Sequence, residues 1–168
     1  NGADKNACGM EKNMYYIGVD LGTSSVKLLL WDKQGTVVKT VSKEYPISFP
    51  KPGWSEQNPY DWYEQSVAGI RELTVGKKKE EVAGISFGGQ MHGLVILDEM
   101  KGDSPGNLWN DGRTTKECEY LNNTIGKGKL TEYTANIAFA GFTAPKILWV
   151  RENEPENFQK IRKIMLPK

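Results

Sequence analysis

Histidine and cysteine are scarce in this sequence of 168 residues, which contains one histidine and two cysteines. The two cysteines, Cys8 and Cys118, are too few for a disulfide framework and do not form a CxxC pair. Because His92 is the only histidine, a zinc site of the His/Cys type is not expected. A Ser-His-Asp hydrolase would have to use His92 as its base. Few cysteines favour a reducing, cytoplasmic setting.

The sequence also lacks an excess of charge and long apolar runs. The formal net charge is +1, a balance that gives no reason to expect nucleic acid or a membrane surface as partner. No apolar run approaches the length of a membrane-spanning helix. Residues 1–13 lack the apolar core of a signal peptide, and we interpret them as a disordered leader or expression remnant. Residues 14–168 suit a single domain.

The order of the predicted elements indicates an α/β fold. Three strands joined by short turns are predicted first, at 15–21, 26–31 and 36–41, as an antiparallel meander. A helix then begins with Asn58 as N-cap and Pro59 at its first position, and Gly76 is its stop. Later strands are predicted at 82–87, 94–97 and 164–166, and helices at 114–122, 130–136, 143–151 and from Pro155. This order favours a sheet that mixes antiparallel and parallel strands.

Two details of the first helix can be predicted as well. Its apolar face is expected to carry Tyr63, Val67, Ile70 and Leu73, which fall on one side of a helix. The polar segment before it, 54–59, is expected to be exposed and to cap the helix. Thr143 is the expected cap of the later helix that it opens.

The segment Asp20-Leu21-Gly22-Thr23-Ser24-Ser25 is the most informative local feature. An acidic residue ends one strand, and glycine with three hydroxyl residues makes the turn into the next. Successive N–H groups in such a turn can bind an anion. A carboxylate beside a phosphate needs a cation between them, which suggests Mg²⁺ held partly through water. The segment lacks the ending of a Walker A loop, and an ordinary hairpin turn is the alternative interpretation.

A second glycine-rich segment, 88–93, separates two predicted strands. Its glycines surround Gln90, Met91 and His92, whose amide, thioether and imidazole suit contact with a small ligand. The alternative is an ordinary connection in which His92 is simply packed.

Residues 109–113 place an indole, an amide, a carboxylate and a guanidinium together. Asn110 and Asp111 can bind sugar hydroxyl groups, while the ring of Trp109 covers an apolar sugar face. The alternative is a turn in which Asp111 pairs with Arg113, and the two interpretations are compatible.

Together these segments resemble the FGGY family of carbohydrate kinases. Residues 20–27 are similar to its first phosphate motif, and 52–57 to the segment before its first long helix. Residues 90–93 are similar to the sugar loop of the branch that phosphorylates xylulose. Residues 109–113, 141–146 and 166–168 follow in the family's order. The resemblance covers nearly all of the chain from Met14 onward.

The resemblance implies an actin-like ATPase domain of the ribonuclease H-like α/β type with a mixed sheet, of which residues 14–168 are the truncated N-terminal part. It implies ATP-dependent phosphorylation of D-xylulose to D-xylulose 5-phosphate, with ATP and Mg²⁺ as cofactors, and a homodimer of the full-length protein. In the family the catalytic base lies further along the chain than Lys168. The chain alone is therefore expected to be inactive.

Site residues are carried over by position in the motifs. Asp20 is implied to assist Mg²⁺ and the transferring phosphoryl group. The residues implied to lie near the phosphates are Asp20, Gly22, Thr23, Ser24 and Lys27. Those implied to contact the sugar are Gln90, Met91, His92 and Gly93, with Asn110 and Asp111 as further candidates.

Two other functions stay open. One is a family member acting on another ketose or polyol, such as ribulose, gluconate or glycerol, although the Gln-Met-His-Gly loop favours xylulose. The other is a non-catalytic actin-like module that binds nucleotide and would not need that loop. Residues 99–107 depart from the family pattern, because 101–107 are polar and turn-like where an apolar strand usually leads into 109–113.

Overall fold

The computed structural model describes residues 14–97, 106–107 and 110–168. The predicted leader, most of the polar stretch 101–107, and Trp109 lie outside the described residues. The strands are β1 (Tyr15–Leu21), β2 (Ser25–Asp32), β3 (Val37–Glu44), β4 (Glu56–Gln57), β5 (Val82–Gly89), β6 (Val95–Leu97), β7 (Gly106–Asn107) and β8 (Lys163–Met165). The α-helices are α1 (Pro59–Leu73), α2 (Thr115–Glu119), α3 (Lys127–Thr134), α4 (Thr143–Asn153) and α5 (Pro155–Lys160).

Four of these strands form the central sheet, in the order β3-β2-β1-β5. Strands β1, β2 and β3 pair antiparallel, whereas β5 lies parallel to β1. The predicted meander and the predicted mixed sheet are both confirmed. Because β1 and β5 run in the same direction, the segments that follow them leave the same edge of the sheet.

The core lies between one face of this sheet and helix α1. Side chains of β1 and β2 alternate between the faces, as the pleat of a strand requires. Val26, Leu28 and Leu30 on β2 are fully buried. Helix α1 comes very close at Gly69, where a Cβ atom would lie 2.4 Å from Leu28 Cδ1.

Helix α1 begins as predicted, but its buried face is different. The Asn58 side chain accepts a hydrogen bond from the backbone N–H of Tyr60, with Pro59 at the first position. The prediction for Tyr63 is wrong, because its side chain is 69% exposed. Trp62 is buried instead, and its indole N–H donates to Gln57 Oε1 at 3.0 Å. A tryptophan can be buried where this donor is satisfied.

A second apolar cluster joins α4 to the short strands β6 and β8. These strands pair antiparallel, and the buried members of the cluster are Leu94, Ile96 and Val150. Helix α4 begins at Thr143 with Phe142 in the cap position, so the predicted cap is wrong by one residue. The predicted helices 114–122 and 130–136 overlap with one helical stretch, which runs from α2 through a π-helical segment, Tyr120–Gly126, to the end of α3 at Thr134; the predicted break between them and the predicted end at 136 are wrong. No helix of the described ranges is both long enough and apolar enough to cross a membrane.

Candidate active site

Two buried side chains donate hydrogen bonds to the turn between β1 and β2, residues 22–24. The Tyr45 hydroxyl donates to the carbonyl oxygen of Gly22 at 2.5 Å, and Gln57 Nε2 donates to that of Thr23 at 2.8 Å. The backbone N–H of Tyr45 donates to the carbonyl oxygen of Ser24 at 3.2 Å. Three successive carbonyl oxygens of the turn, those of residues 22, 23 and 24, thus accept hydrogen bonds from protein groups.

Gln57 is the central support of this turn. It is 3% exposed, and its Nε2 also donates to the carbonyl oxygen of Pro46 at 3.1 Å. Because an indole N–H can only donate, the bond from Trp62 fixes which end of the amide carries the oxygen. The prediction that segment 54–59 is exposed is therefore wrong for Gln57, and also for Ser55, which is 1% exposed.

Asp20 lies on β1 just before this turn. It is exposed and directly opposite Lys27 on β2 and Gly88 on β5. Cross-strand partners project from the same face, with Cβ atoms about 5 Å apart. Burial raises the pKa of Tyr45 to about 12, and the nearby charge of Asp20 adds to the effect. The Tyr45 hydroxyl therefore stays protonated and remains a donor at neutral pH.

Loop 90–93 starts beside the end of β1. The backbone N–H of Gln90 donates to the carbonyl oxygen of Leu21 at 2.8 Å. Gly89 permits this approach, because a Cβ atom there would lie 2.6 Å from the same oxygen, and its φ is 150°. Turn 22–24 and loop 90–93, which were singled out separately in the sequence, therefore lie next to each other.

The Gln90 side chain carries a buried amide group. Both its Nε2 and its Oε1 are buried, and neither has a hydrogen-bond partner within the described part of the chain. An unpaired buried polar group costs roughly 1–3 kcal/mol. A polar ligand or a water would satisfy this amide. Met91 next to it is 57% exposed, and Gly93 is buried.

His92 has an unusual backbone conformation and a packed ring. Its φ is 62°, in the left-handed region that non-glycine residues seldom adopt. The imidazole stacks on Phe142, with ring centroids 4.3 Å apart and 17° between the planes. Its carbonyl oxygen accepts hydrogen bonds from Lys146 Nζ at 3.0 Å and from the Thr143 hydroxyl at 3.2 Å. The imidazole ring of His92 is therefore packed against the protein, as the alternative interpretation of loop 90–93 expects.

Asp111 is enclosed in a network of hydrogen bonds and ion pairs. It is 1% exposed; Oδ2 accepts from the backbone N–H of Ser55 at 2.8 Å, and Oδ1 from Arg113 Nε at 2.9 Å. Arg113 also pairs with Glu56 at 2.7 Å, and its guanidinium carbon lies 3.7 Å from the ring centre of Trp54. The predicted pairing of Asp111 with Arg113 is confirmed. Asn110, in contrast, is exposed.

Two depressions border this edge of the sheet. One, of about 440 Å³, has Asp20 and Gly88 in its lining and lies against the outer sheet face near Trp31. The other, of about 290 Å³, lies between α1 and β5 beside Trp62. Neither includes loop 90–93, and both have mainly apolar walls, so neither by itself defines a sugar site.

The described residues contain no group of three or more metal-ligating side chains. Asp20 nevertheless suits Mg²⁺, which often binds through one or two carboxylates, several waters and substrate phosphates. Its exposure at the entrance to turn 22–24 leaves its oxygens accessible for that role.

Three supporting residues were not identified as site residues from the sequence: Tyr45, Gln57 and Lys146. Each is a donor to a carbonyl oxygen of turn 22–24 or loop 90–93. Gln57 lies in a polar segment just before a capped helix, and Lys146 lies in a helix that carries other polar residues, so their burial had no local signal in the sequence.

The mixed sheet, in which three antiparallel strands are followed by a fourth parallel to the first, agrees with the actin-like ATPase fold expected from the sequence. The model of the FGGY family of carbohydrate kinases, N-terminal domain, matches residues 15–168. The chain belongs to this family.

Curated relatives include the xylulose kinase of Lactococcus lactis subsp. lactis, which is 48% identical over 92% of this chain. The xylulose kinase of Bacillus subtilis is 45% identical over 92% of the chain. In both cases the match spans 31% of the relative's own length.

Solved structures confirm the expected fold. A xyloylose kinase from Brucella ovis has a TM-score of 0.83 and 41% identity, over 92% of this chain and 32% of its own. A gluconate kinase from Lactobacillus acidophilus has a TM-score of 0.84 and 27% identity, over 91% of this chain and 31% of its own.

Proposed function

We propose that this chain supplies the N-terminal third of a kinase that transfers a phosphoryl group from ATP to the terminal hydroxyl of D-xylulose, giving D-xylulose 5-phosphate. The observation that carries the proposal is the contact between the two loops. The Gln90 N–H group donates to the Leu21 carbonyl oxygen at 2.8 Å, so loop 90–93 lies next to turn 22–24, and this proximity supports a sugar and a phosphate bound side by side. Relatives named xylulose kinase, 41–48% identical, favour xylulose as the sugar.

Turn 22–24 is proposed to bind the phosphates of ATP. Its carbonyl oxygens are occupied by Tyr45 and Gln57, so the backbone presents little negative charge to an anion. Lys27, opposite Asp20 in the strand pair, supplies a positive charge on the same face. Asp20 would hold Mg²⁺, which when bound neutralises phosphate charge. Phosphoryl transfer depends mainly on such positioning and charge stabilisation.

Loop 90–93 and Asn110 are proposed to contact the sugar. The unpaired amide of Gln90 can donate to one hydroxyl group and accept from another. Asp111 has its carboxylate occupied by Ser55 and Arg113, so we propose that it contributes by holding Asn110 in place. We further propose that the catalytic base lies beyond Lys168 and accepts the hydroxyl proton, which would leave the isolated chain inactive.

The proposal is tested by the sugar selectivity of the full-length protein. Initial rates are measured with ATP and with D-xylulose, ribulose, gluconate or glycerol. We expect the highest kcat/KM for D-xylulose. His92→Ala should raise the KM for D-xylulose about tenfold, which corresponds to about 1.4 kcal/mol, and leave the KM for ATP within about twofold.

Exposed Tyr133, on α3, provides the control variant Tyr133→Ala, for which we expect unchanged constants. A higher kcat/KM for gluconate would support the second candidate, which the structural similarity to a gluconate kinase favours. Failure to phosphorylate any of the four compounds would contradict both and favour a non-catalytic module.

We also propose a cytoplasmic location and a homodimer of the full-length protein. The location rests on the scarcity of cysteine, and the described cysteine, Cys118, is a free thiol. The homodimer rests on the family resemblance alone.

A further inference from the structure

Lys146 is a charged side chain with no exposed surface. It lies in the first turns of α4 and is 0% exposed. Burial lowers the pKa of its ammonium group to about 8; the charge of Arg113 lowers the pKa as well, while that of Asp111 raises it. Lysine is almost never fully buried unless it is paired, so its presence inside the protein calls for a specific reason.

The contacts of the ammonium group supply that reason. Nζ donates to the carbonyl oxygen of His92 at 3.0 Å and to that of Gly141 at 2.8 Å. The Thr143 hydroxyl donates to the same His92 oxygen at 3.2 Å. Two side chains from the start of α4 therefore converge on one carbonyl group of loop 90–93.

His92 is the residue of this loop that most needs outside support. Its φ of 62° is unfavourable for a residue with a Cβ atom, and such conformations persist only where the surroundings hold them. Its ring stacks on Phe142, which immediately precedes α4. Both the backbone and the ring of His92 are thus held by the beginning of one helix.

We propose that Lys146 is the positioning residue of the sugar site: it holds the backbone of His92 in the conformation that places the imidazole at the sugar. The inference rests on the proposed function, since it assumes that loop 90–93 binds sugar. On this proposal the conformation of loop 90–93 depends on contacts with α4, whereas the conformation of turn 22–24 depends on contacts with Tyr45 and Gln57. Loss of Lys146 should therefore affect the sugar and not the nucleotide.

Lysine suits this position better than a shorter or planar donor. Its ammonium group has three N–H bonds that can serve carbonyl oxygens lying in different directions. The carboxylate of Asp111 lies close enough to favour the charged form.

The first test is Lys146→Met in the full-length protein, which keeps most of the stem and removes the donors. We expect the KM for the sugar to rise about tenfold, and the KM for ATP to stay within about twofold. Thr143→Val should have a smaller effect in the same direction, and Thr143→Ser, which keeps the hydroxyl, should have none.

Val150→Ala is the matched control for loss of stability. Val150 lies on the same helix, is 3% exposed and belongs to the apolar cluster with Leu94 and Ile96. We expect it to lower the melting temperature without raising the KM for the sugar. If Val150→Ala raised this KM as much as Lys146→Met does, Lys146 would have only a general structural role and the proposal would fail.

A double-mutant cycle tests whether Lys146 acts through His92. In a His92→Ala background, Lys146→Met should change the KM for the sugar by less than about twofold, because coupled residues are not additive. An unchanged tenfold effect in that background would overturn the proposal.

Failure of the proposed function would look different. If the wild-type protein prefers another sugar, the cycle is carried out with that sugar and its result still decides the role of Lys146. If it phosphorylates none, a crystal structure of Lys146→Met decides: we expect the φ of His92 to leave the left-handed region. A φ that stays near 62° would refute the proposal without any activity measurement.

Discussion

Gln57 is enclosed by protein, and every polar atom of its amide has a partner. The two N–H groups donate to Thr23 and Pro46, and the oxygen accepts from Trp62. A buried polar group that is fully paired is stable, whereas removing one partner leaves the others unsatisfied. This single side chain therefore connects the packing of α1 to the shape of turn 22–24.

Gln57→Glu should impair nucleotide binding. The substitution keeps the size of the side chain but removes both donors and places a carboxylate oxygen against two carbonyl oxygens. We expect the KM for ATP to rise about tenfold in the full-length protein, since one lost buried hydrogen bond costs roughly 1–3 kcal/mol. The KM for the sugar should not change.

The same substitution at Gln34, which is exposed in the turn between β2 and β3, is the control. Gln34→Glu should leave both constants unchanged. An effect of Gln57→Glu on the sugar alone would contradict the role assigned to turn 22–24.

The parallel neighbours β1 and β5 are joined most closely where both end. Gly89, the last residue of β5, faces the Leu21 carbonyl oxygen, and the next residue donates a hydrogen bond to that oxygen. The contact between the two strand ends determines how far loop 90–93 lies from turn 22–24.

Gly89→Ala should destabilise this junction. A Cβ atom would clash with a backbone oxygen 2.6 Å away, and backbone cannot move aside as a flexible side chain does. We expect a loss of about 2–4 kcal/mol in the free energy of unfolding, measured by denaturant titration.

Gly76→Ala separates the clash from the effect of backbone conformation. Gly76 also has a positive φ, 75°, but a Cβ atom there meets nothing within 4 Å. We expect this substitution to lower the free energy of unfolding by about 1–2 kcal/mol, from the backbone conformation alone. Equal losses of unfolding free energy at the two positions would argue that the close approach of Gly89 to the Leu21 carbonyl oxygen is unimportant.

The molecule as a whole consists of the sheet with α1 and a smaller apolar cluster around α4. Lys146 connects the helix of the smaller cluster to loop 90–93, which leaves the sheet. Its protonation state should therefore affect the stability of the fold.

The stability should depend on pH through Lys146. Its folded pKa of about 8 lies below the value of about 10.4 in an unfolded chain. The folded state releases the proton first as pH rises, so the free energy of unfolding increases between about pH 8 and about pH 10.4, and this gain is lost again as pH falls from about 10.4 to about 8. The neighbouring charges that modify this are Asp111 and Arg113.

Between about pH 7.5 and about pH 9.5, we expect the free energy of unfolding of the wild-type protein to rise by roughly 1–2 kcal/mol relative to that of Lys146→Met. Denaturant titrations of both proteins at the two pH values measure this difference. Lys160→Met, at an exposed position on α5, should show the pH dependence of the wild type. Parallel pH dependence of wild type and Lys146→Met would contradict a buried ammonium group.

Local chemistry made the elements predictable. The meander, the Asn58 cap with Pro59, and strands β5, β6 and β8 follow from short apolar runs and turn residues, whose preferences act over a few neighbours. The first phosphate motif and the Gln-Met-His-Gly loop were likewise visible in the order of residues.

Contacts between distant parts of the chain decided the rest. The side chains of Tyr45, Gln57 and Lys146 donate to carbonyl oxygens 23, 34 and 54 residues away in the chain. Trp62 is buried in place of Tyr63, and its indole N–H is satisfied by Gln57. Sequence periodicity separates apolar from polar residues, but a polar side chain is buried only where a partner meets it. That meeting depends on how the elements pack, so it was settled by the tertiary structure alone.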